Sequence, residues 1–102
     1  MRVHFERSGG VAGFRLAATI DTETLPPDQA RELEALVDAA GFFDLPEVMA
    51  GPAEAADQFQ YRLTVEAGPR SHTVTVSESA APASLRPLLR RLTVLARSAR
   101  GA

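Results

Sequence analysis

The two histidines are the natural starting point for chemistry, because imidazoles bind zinc and transfer protons near neutral pH. His4 and His72 are the only two in the chain, and neither has a carboxylate at a metal-ligand spacing such as H-E-x-x-H. His72 shares the phase of Val74 in an alternating stretch, which predicts a histidine at the rim of a core. His4 is predicted to be solvated. Neither pattern points to a metal site.

Other catalytic signatures are missing from the sequence. There is no cysteine, so the chain has no thiol nucleophile, thiolate zinc site or disulfide framework. It also contains no G-x-S-x-G elbow, no P-loop and no dinucleotide fingerprint. We therefore predict a binding protein rather than an enzyme, with no cofactor and no bound metal.

Two stretches have binding potential. The connection Ser8–Gly13 is rich in glycine and lies between two predicted strands, so it lacks the helix dipole that phosphate-binding loops use. It contains the apolar Val11 at a position where a simple turn would have Asn or Asp. Two interpretations of this segment therefore remain: a binding tip and a simple hairpin turn. The second helix carries five arginines: Arg86, Arg90, Arg91, Arg97 and Arg100. We interpret them as a solvated helix face in preference to a binding patch.

Composition narrows the class of protein. The 102 residues are 45% apolar and 24% charged, which fits one globular domain over residues 1–102. A net charge of -2 argues against a dedicated nucleic-acid binder. No apolar run approaches the roughly 20 residues needed to span a bilayer. The first ten residues show no apolar signal region, so we expect a cytoplasmic protein, and we favour a monomer.

Alternating residues predict two β-hairpins. In the second hairpin, pairing Ala67 with Arg70 across Gly68-Pro69 places every apolar residue opposite a residue of the same face. In the first, setting Arg7 opposite Phe14 pairs Phe5 with Leu16 and leaves the six residues Ser8–Gly13 as the connection.

Two amphipathic helices complete the pattern. The first begins at Pro26-Pro27 and ends at Gly41, and the second follows Ser84 as a predicted N-cap. Between the first helix and the second hairpin, Glu47–Ala56 has no periodicity and predicts a mobile surface loop. The predicted fold is α+β: a four-stranded antiparallel sheet in ββαββα order, with two helices packed on one face. The strand order is left open.

The sequence resembles the emfourin family, inhibitors of thermolysin-like metalloproteases named after the inhibitor of protealysin. The resemblance covers nearly the whole chain and is carried by the segments Arg7–Gly10, Asp21–Pro27, Leu36–Pro46, Asp57–Val65 and His72–Glu78, with Ala12-Gly13, Arg15 and the LRPLLRRL of helix two. In the family pattern a larger apolar residue such as Phe is common at the position of Val11.

This resemblance implies a protein inhibitor whose partner is a thermolysin-like zinc endopeptidase, bound through a protruding loop. We expect the protease-binding residues at the tip of the first hairpin: Arg7, Ser8, Gly9, Gly10, Val11, Ala12, Gly13, Phe14 and Arg15. Two alternatives stay open. Glu54 or Asp57 could reach the open zinc position, and so could the Met1 amine. A non-inhibitory module that uses the polar sheet face or the arginine face is the alternative function.

Overall fold

The computed structural model describes residues 1–9, 14–50 and 58–101. Within them the helices and strands follow the order ββαβββα. Three short 3-10 turns, at Thr22–Thr24, Phe42–Asp44 and Glu78–Ala80, join some of these elements. The strands and helices are β1 (Arg2–Gly9), β2 (Phe14–Asp21), α1 (Pro27–Ala40), β3 (Val48–Met49), β4 (Phe59–Ala67), β5 (Arg70–Ser77) and α2 (Arg86–Gly101).

The hairpin β4–β5 confirms the predicted register. Ala67 pairs with Arg70, and Leu63 pairs with Val74 farther along the ladder. Gly68 adopts the positive φ of 61° that the tight turn requires. The agreement follows from a two-residue turn flanked by an unbroken alternation, because a slip by one residue would expose the valines.

The hairpin β1–β2 corrects the predicted register by two residues. Arg7 pairs with Leu16 rather than with Phe14, and Phe5 pairs with Ala18. A shift of two keeps every side chain on its predicted face, so alternation alone could not distinguish the two registers. The observed register adds the pair of Gly9 with Phe14, and the two strands remain paired up to that point.

The sheet has five strands in the order β2-β1-β4-β5-β3. The two hairpins join through an antiparallel pairing of β1 with β4, in which Phe5 lies opposite Leu63. The prediction of four antiparallel strands was wrong in one respect. Val48–Met49 pairs with β5 in parallel, so the first part of Glu47–Ala56 is a strand in a mixed sheet. A two-residue strand is too short to produce a detectable period.

The helix boundaries follow local sequence signals with one exception. Helix α1 has proline at its start and ends at Gly41, which is left-handed with φ 60° and donates its N–H to the carbonyls of Asp38 and Val37. Helix α2 begins at Arg86, one residue later than the predicted N-cap Ser84 requires. Among the described residues, no helix is long and apolar enough to cross a membrane.

One hydrophobic core lies between the sheet and both helices. Leu63 from β4, Leu33 from α1 and Leu89 from α2 are all buried, as predicted. Phe42 is also buried and packs edge-on against the imidazole of His72. The core gives the sheet one covered face, and the other face carries polar side chains such as Arg62 and Thr64 around a shallow depression.

Candidate functional site

The described part of the first hairpin ends with the pair of Gly9 and Phe14, and this pair defines the base of the predicted tip. Strand β1 is an inner strand, so Gly9 pairs with Phe14 on one side and with Phe59 on the other. Gly10, Val11, Ala12 and Gly13 lie outside the described residues. Of the nine predicted site residues, the structure therefore places the two ends of the segment: 7–9 and 14–15.

Gly9 cannot be replaced by another residue without strain. Its φ is 96°, a conformation that L-residues rarely adopt. A Cβ at this position would also lie 3.1 Å from the carbonyl oxygen of Gln58 on the neighbouring strand. Glycine is thus required both by the backbone conformation and by the close approach of β4.

We expect Gly9→Ala to destabilise the protein by about 1–3 kcal/mol, because it adds backbone strain and a backbone clash. Gly68→Ala is the matched control. Gly68 also has positive φ, but a Cβ there would meet nothing within 4 Å, so only the strain remains. Chemical denaturation of both variants should rank Gly9→Ala as the less stable. Equal stability would show that β4 moves aside at no cost.

The two arginines of the predicted site lie on opposite faces of the sheet. Arg7 follows Val3 and Phe5 on the core face, and its guanidinium carbon lies 4.2 Å from the ring centroid of Phe59. Arg15 lies on the polar face, where its Nη2 donates to Glu6 Oε2 at 2.6 Å. Beside the predicted tip, side-chain contacts therefore connect β2 to β1 and β1 to β4.

A third element supports this end of the sheet. The carboxylate of Glu78, in the 3-10 turn after β5, accepts a hydrogen bond from the Phe59 amide at 3.1 Å. The side chain of Gln58 accepts another from the Ser79 amide at 2.8 Å. Sequence reasoning missed these residues, because only the pairing of β1 with β4 brings Phe59 beside Arg7.

The alternative zinc-binding groups are placed only in part. Glu54 and Asp57 lie outside the described residues. The Met1 amine donates to Thr22 Oγ1 at 3.0 Å. It lies at the far end of β1, and the seven residue steps from Arg2 to Gly9 span about 24 Å. The amine and Gly9, at the base of the predicted tip, therefore lie at opposite ends of β1.

The histidines have structural partners. His72 is half-buried and its Nε2 lies 2.7 Å from the carbonyl oxygen of Leu45, as expected for a histidine at the rim of the core. His4 lies on the polar face with its side chain 44% exposed, and there its Nε2 lies 2.8 Å from Glu66 Oε1 and its Nδ1 lies 3.2 Å from Thr19 Oγ1. Within the described ranges, no three His, Asp or Glu side chains form a group that could hold a metal ion.

The arginines of α2 divide between two environments. Arg91 is directed towards α1, and its Nε donates to Glu32 Oε1 at 2.6 Å. Arg86, Arg90 and Arg97 instead border a groove on the side of the helix next to Arg7. The structure thus brings three arginines of the C-terminal helix to the base of the predicted tip.

The family model described as Emfourin matches residues 5–93, which run from Phe5 in β1 to the middle of α2. The chain belongs to the Emfourin family. Membership of the Emfourin family implies the general role of a metalloprotease inhibitor and so a protein that is not itself an enzyme. Neither the curated proteins nor the solved structures include a match to this chain.

Proposed function

We propose that this protein inhibits thermolysin-like zinc metalloproteases by occupying the active-site cleft. The observation that carries the proposal is the Emfourin match over residues 5–93. The target enzymes hold zinc with two histidines and one glutamate and leave a fourth position open to substrate. An inhibitor of such a site needs no metal or nucleophile of its own.

The segment from Arg7 to Arg15 is the surface that enters the cleft in this proposal. Proteases bind their substrates in extended form, and the end of a hairpin can present its backbone in the same way. Thermolysin-like enzymes as a family favour a large apolar residue just after the scissile bond. The step from Gly10 to Val11 offers such a residue.

The structure of the hairpin base favours tight binding by this segment. Ordering a flexible loop at the moment of binding subtracts from affinity. Here both strands are paired up to Gly9 and Phe14, and β1 is also paired with β4 on its other side. Arg7 and Phe59 add a stacking contact at the same level. The ends of the binding segment are therefore ordered before the protease arrives.

The test is a titration of thermolysin with the purified protein, monitored by cleavage of a short fluorogenic peptide. Before the titration, the purified protein is treated with a chelator, and the chelator is then removed, so that the protein is tested without a bound metal. We expect activity to fall in proportion to added inhibitor, with competitive kinetics and an intact inhibitor chain by mass spectrometry. Trypsin serves as the control and should be unaffected. Full thermolysin activity at a large excess of the protein would refute the proposal and favour a non-inhibitory interaction module.

A further inference from the structure

A groove of about 610 Å³ lies beside the base of the tip, between α2 and the ends of β1 and β4. Its deeper part is apolar, with Tyr61 and Leu89 almost fully buried. Its rim is basic, because Arg86, Arg90 and Arg97 border it from the helix and Arg7 borders it from β1. Among the described residues, Glu78 is the only acidic one that lines it. The groove thus combines an apolar floor with a cationic rim in a protein whose net charge is -2.

The described lining leaves the groove with a net positive charge. Glu78 offsets one of the four lining arginines, and its carboxylate also accepts a hydrogen bond from the Phe59 amide. Arg86 donates its Nε to the carbonyl of Ala81, which carries no formal charge. Among the described residues, Arg90 and Arg97 are exposed and have no carboxylate within ion-pair distance. The sequence contains no acidic residue after Glu78, so α2 supplies none.

The arginines of the helix recur on one face. Arg86, Arg90 and Arg97 lie at i, i+4 and i+11, and at 1.5 Å per residue they span about 16 Å. Five residues of extended chain cover the same length. Val94, which is 52% exposed, lies on this face between the last two arginines and extends the apolar floor. A short peptide segment with one apolar side chain and flanking carboxylates complements these features in size and charge.

We propose that this groove is a second contact surface of the inhibitor and that it binds an acidic surface segment of the target metalloprotease next to the active-site cleft. The inference rests on the function proposed above. The geometry favours simultaneous contact, because Arg7 belongs both to the groove and to the strand that leads into the tip, only two residues from Gly9. Opposite charges at the rim of an interface accelerate encounter more than they strengthen the final complex. The groove therefore acts mainly on the rate of association.

The experiment compares two double variants that remove the same charge from different surfaces. Arg90→Gln/Arg97→Gln neutralises the groove. Arg31→Gln/Arg62→Gln is the matched control, since both arginines are exposed, one on α1 and one on the polar sheet face. Association with thermolysin is followed by loss of peptide cleavage at about 20 mM and at about 500 mM NaCl, and unchanged melting temperatures establish that each variant is folded.

We expect the groove variant to associate at least about fivefold more slowly than the parent at low salt, with the difference lost at high salt, where such charges are screened. The control should change less than about twofold. Equal slowing by both variants would overturn the proposal, since net charge alone would then explain the effect. An unchanged groove variant would overturn it too, while leaving inhibition by the tip intact. A parent that fails to inhibit would overturn both proposals, and a parent dimer lost in the groove variant by sedimentation would assign the groove to a second copy of the chain.

Discussion

Val11→Asp is expected to weaken inhibition of thermolysin at least tenfold, which corresponds to about 1.4 kcal/mol of binding free energy. In the proposed complex Val11 occupies the apolar pocket that receives the residue after the scissile bond. Placing a carboxylate there removes the apolar contact and leaves a charge without water or a partner. The measurement is the inhibition constant from peptide cleavage, for a variant whose melting temperature matches that of the parent.

The matched control is Glu54→Ala/Asp57→Ala, which removes the two carboxylates that are the alternative zinc-directed groups. If the tip carries inhibition, this double variant should inhibit almost as well as the parent. The reverse ranking would move the zinc-directed group to Glu54 or Asp57. If neither variant changes the inhibition constant, both assignments are excluded, and the Met1 amine becomes the group to examine.

Leu63→Ala is expected to lower the free energy of unfolding by about 2–5 kcal/mol, the range for truncation of a fully buried leucine. Leu63 has no exposed surface and lies on an inner strand, between Phe5 on β1 and Val74 on β5. Its removal leaves a cavity that a sheet paired on both sides cannot easily close. For a chain of this size the melting temperature should fall by at least about 8 °C.

Val48→Ala is the control for this substitution. Val48 also lies in a strand of the sheet, but it is 69% exposed, so its truncation should change stability by less than about 0.5 kcal/mol. Thermal denaturation followed by circular dichroism compares the two variants. A Leu63→Ala protein that melts within a degree or two of the parent would show that this side chain does not face the core.

Local signals in the sequence determined the two helices and the four longer strands, together with the inner face of each. A two-residue turn at Gly68-Pro69 fixed the register of the second hairpin, because turn length and alternation leave one solution. Gly41 marked the end of α1, because a left-handed residue ends a helix at little cost when it is glycine. Each segment that resembles the family is a continuous run of residues, so the family could be identified before any contact between distant residues was known.

Tertiary structure decided what depends on partners distant in sequence. The register of the first hairpin was one such case, since a shift of two residues preserves both faces and only the completed ladder up to Gly9 distinguishes them. The strand Val48–Met49 was another, because two residues carry no period and form a strand only where β5 offers an edge.

The groove beside the tip could not be found in the sequence for the same reason. Arg7 is separated from Arg90 and Arg97 by more than eighty residues, and nothing in their local patterns links them. They share one surface because β1 pairs with β4 and α2 packs against β2 and β1. The sequence thus determined which side chains each element exposes, through short-range periodicity. The sheet order decided which of them lie together, because strand pairing is selected by long-range contacts that no local pattern encodes.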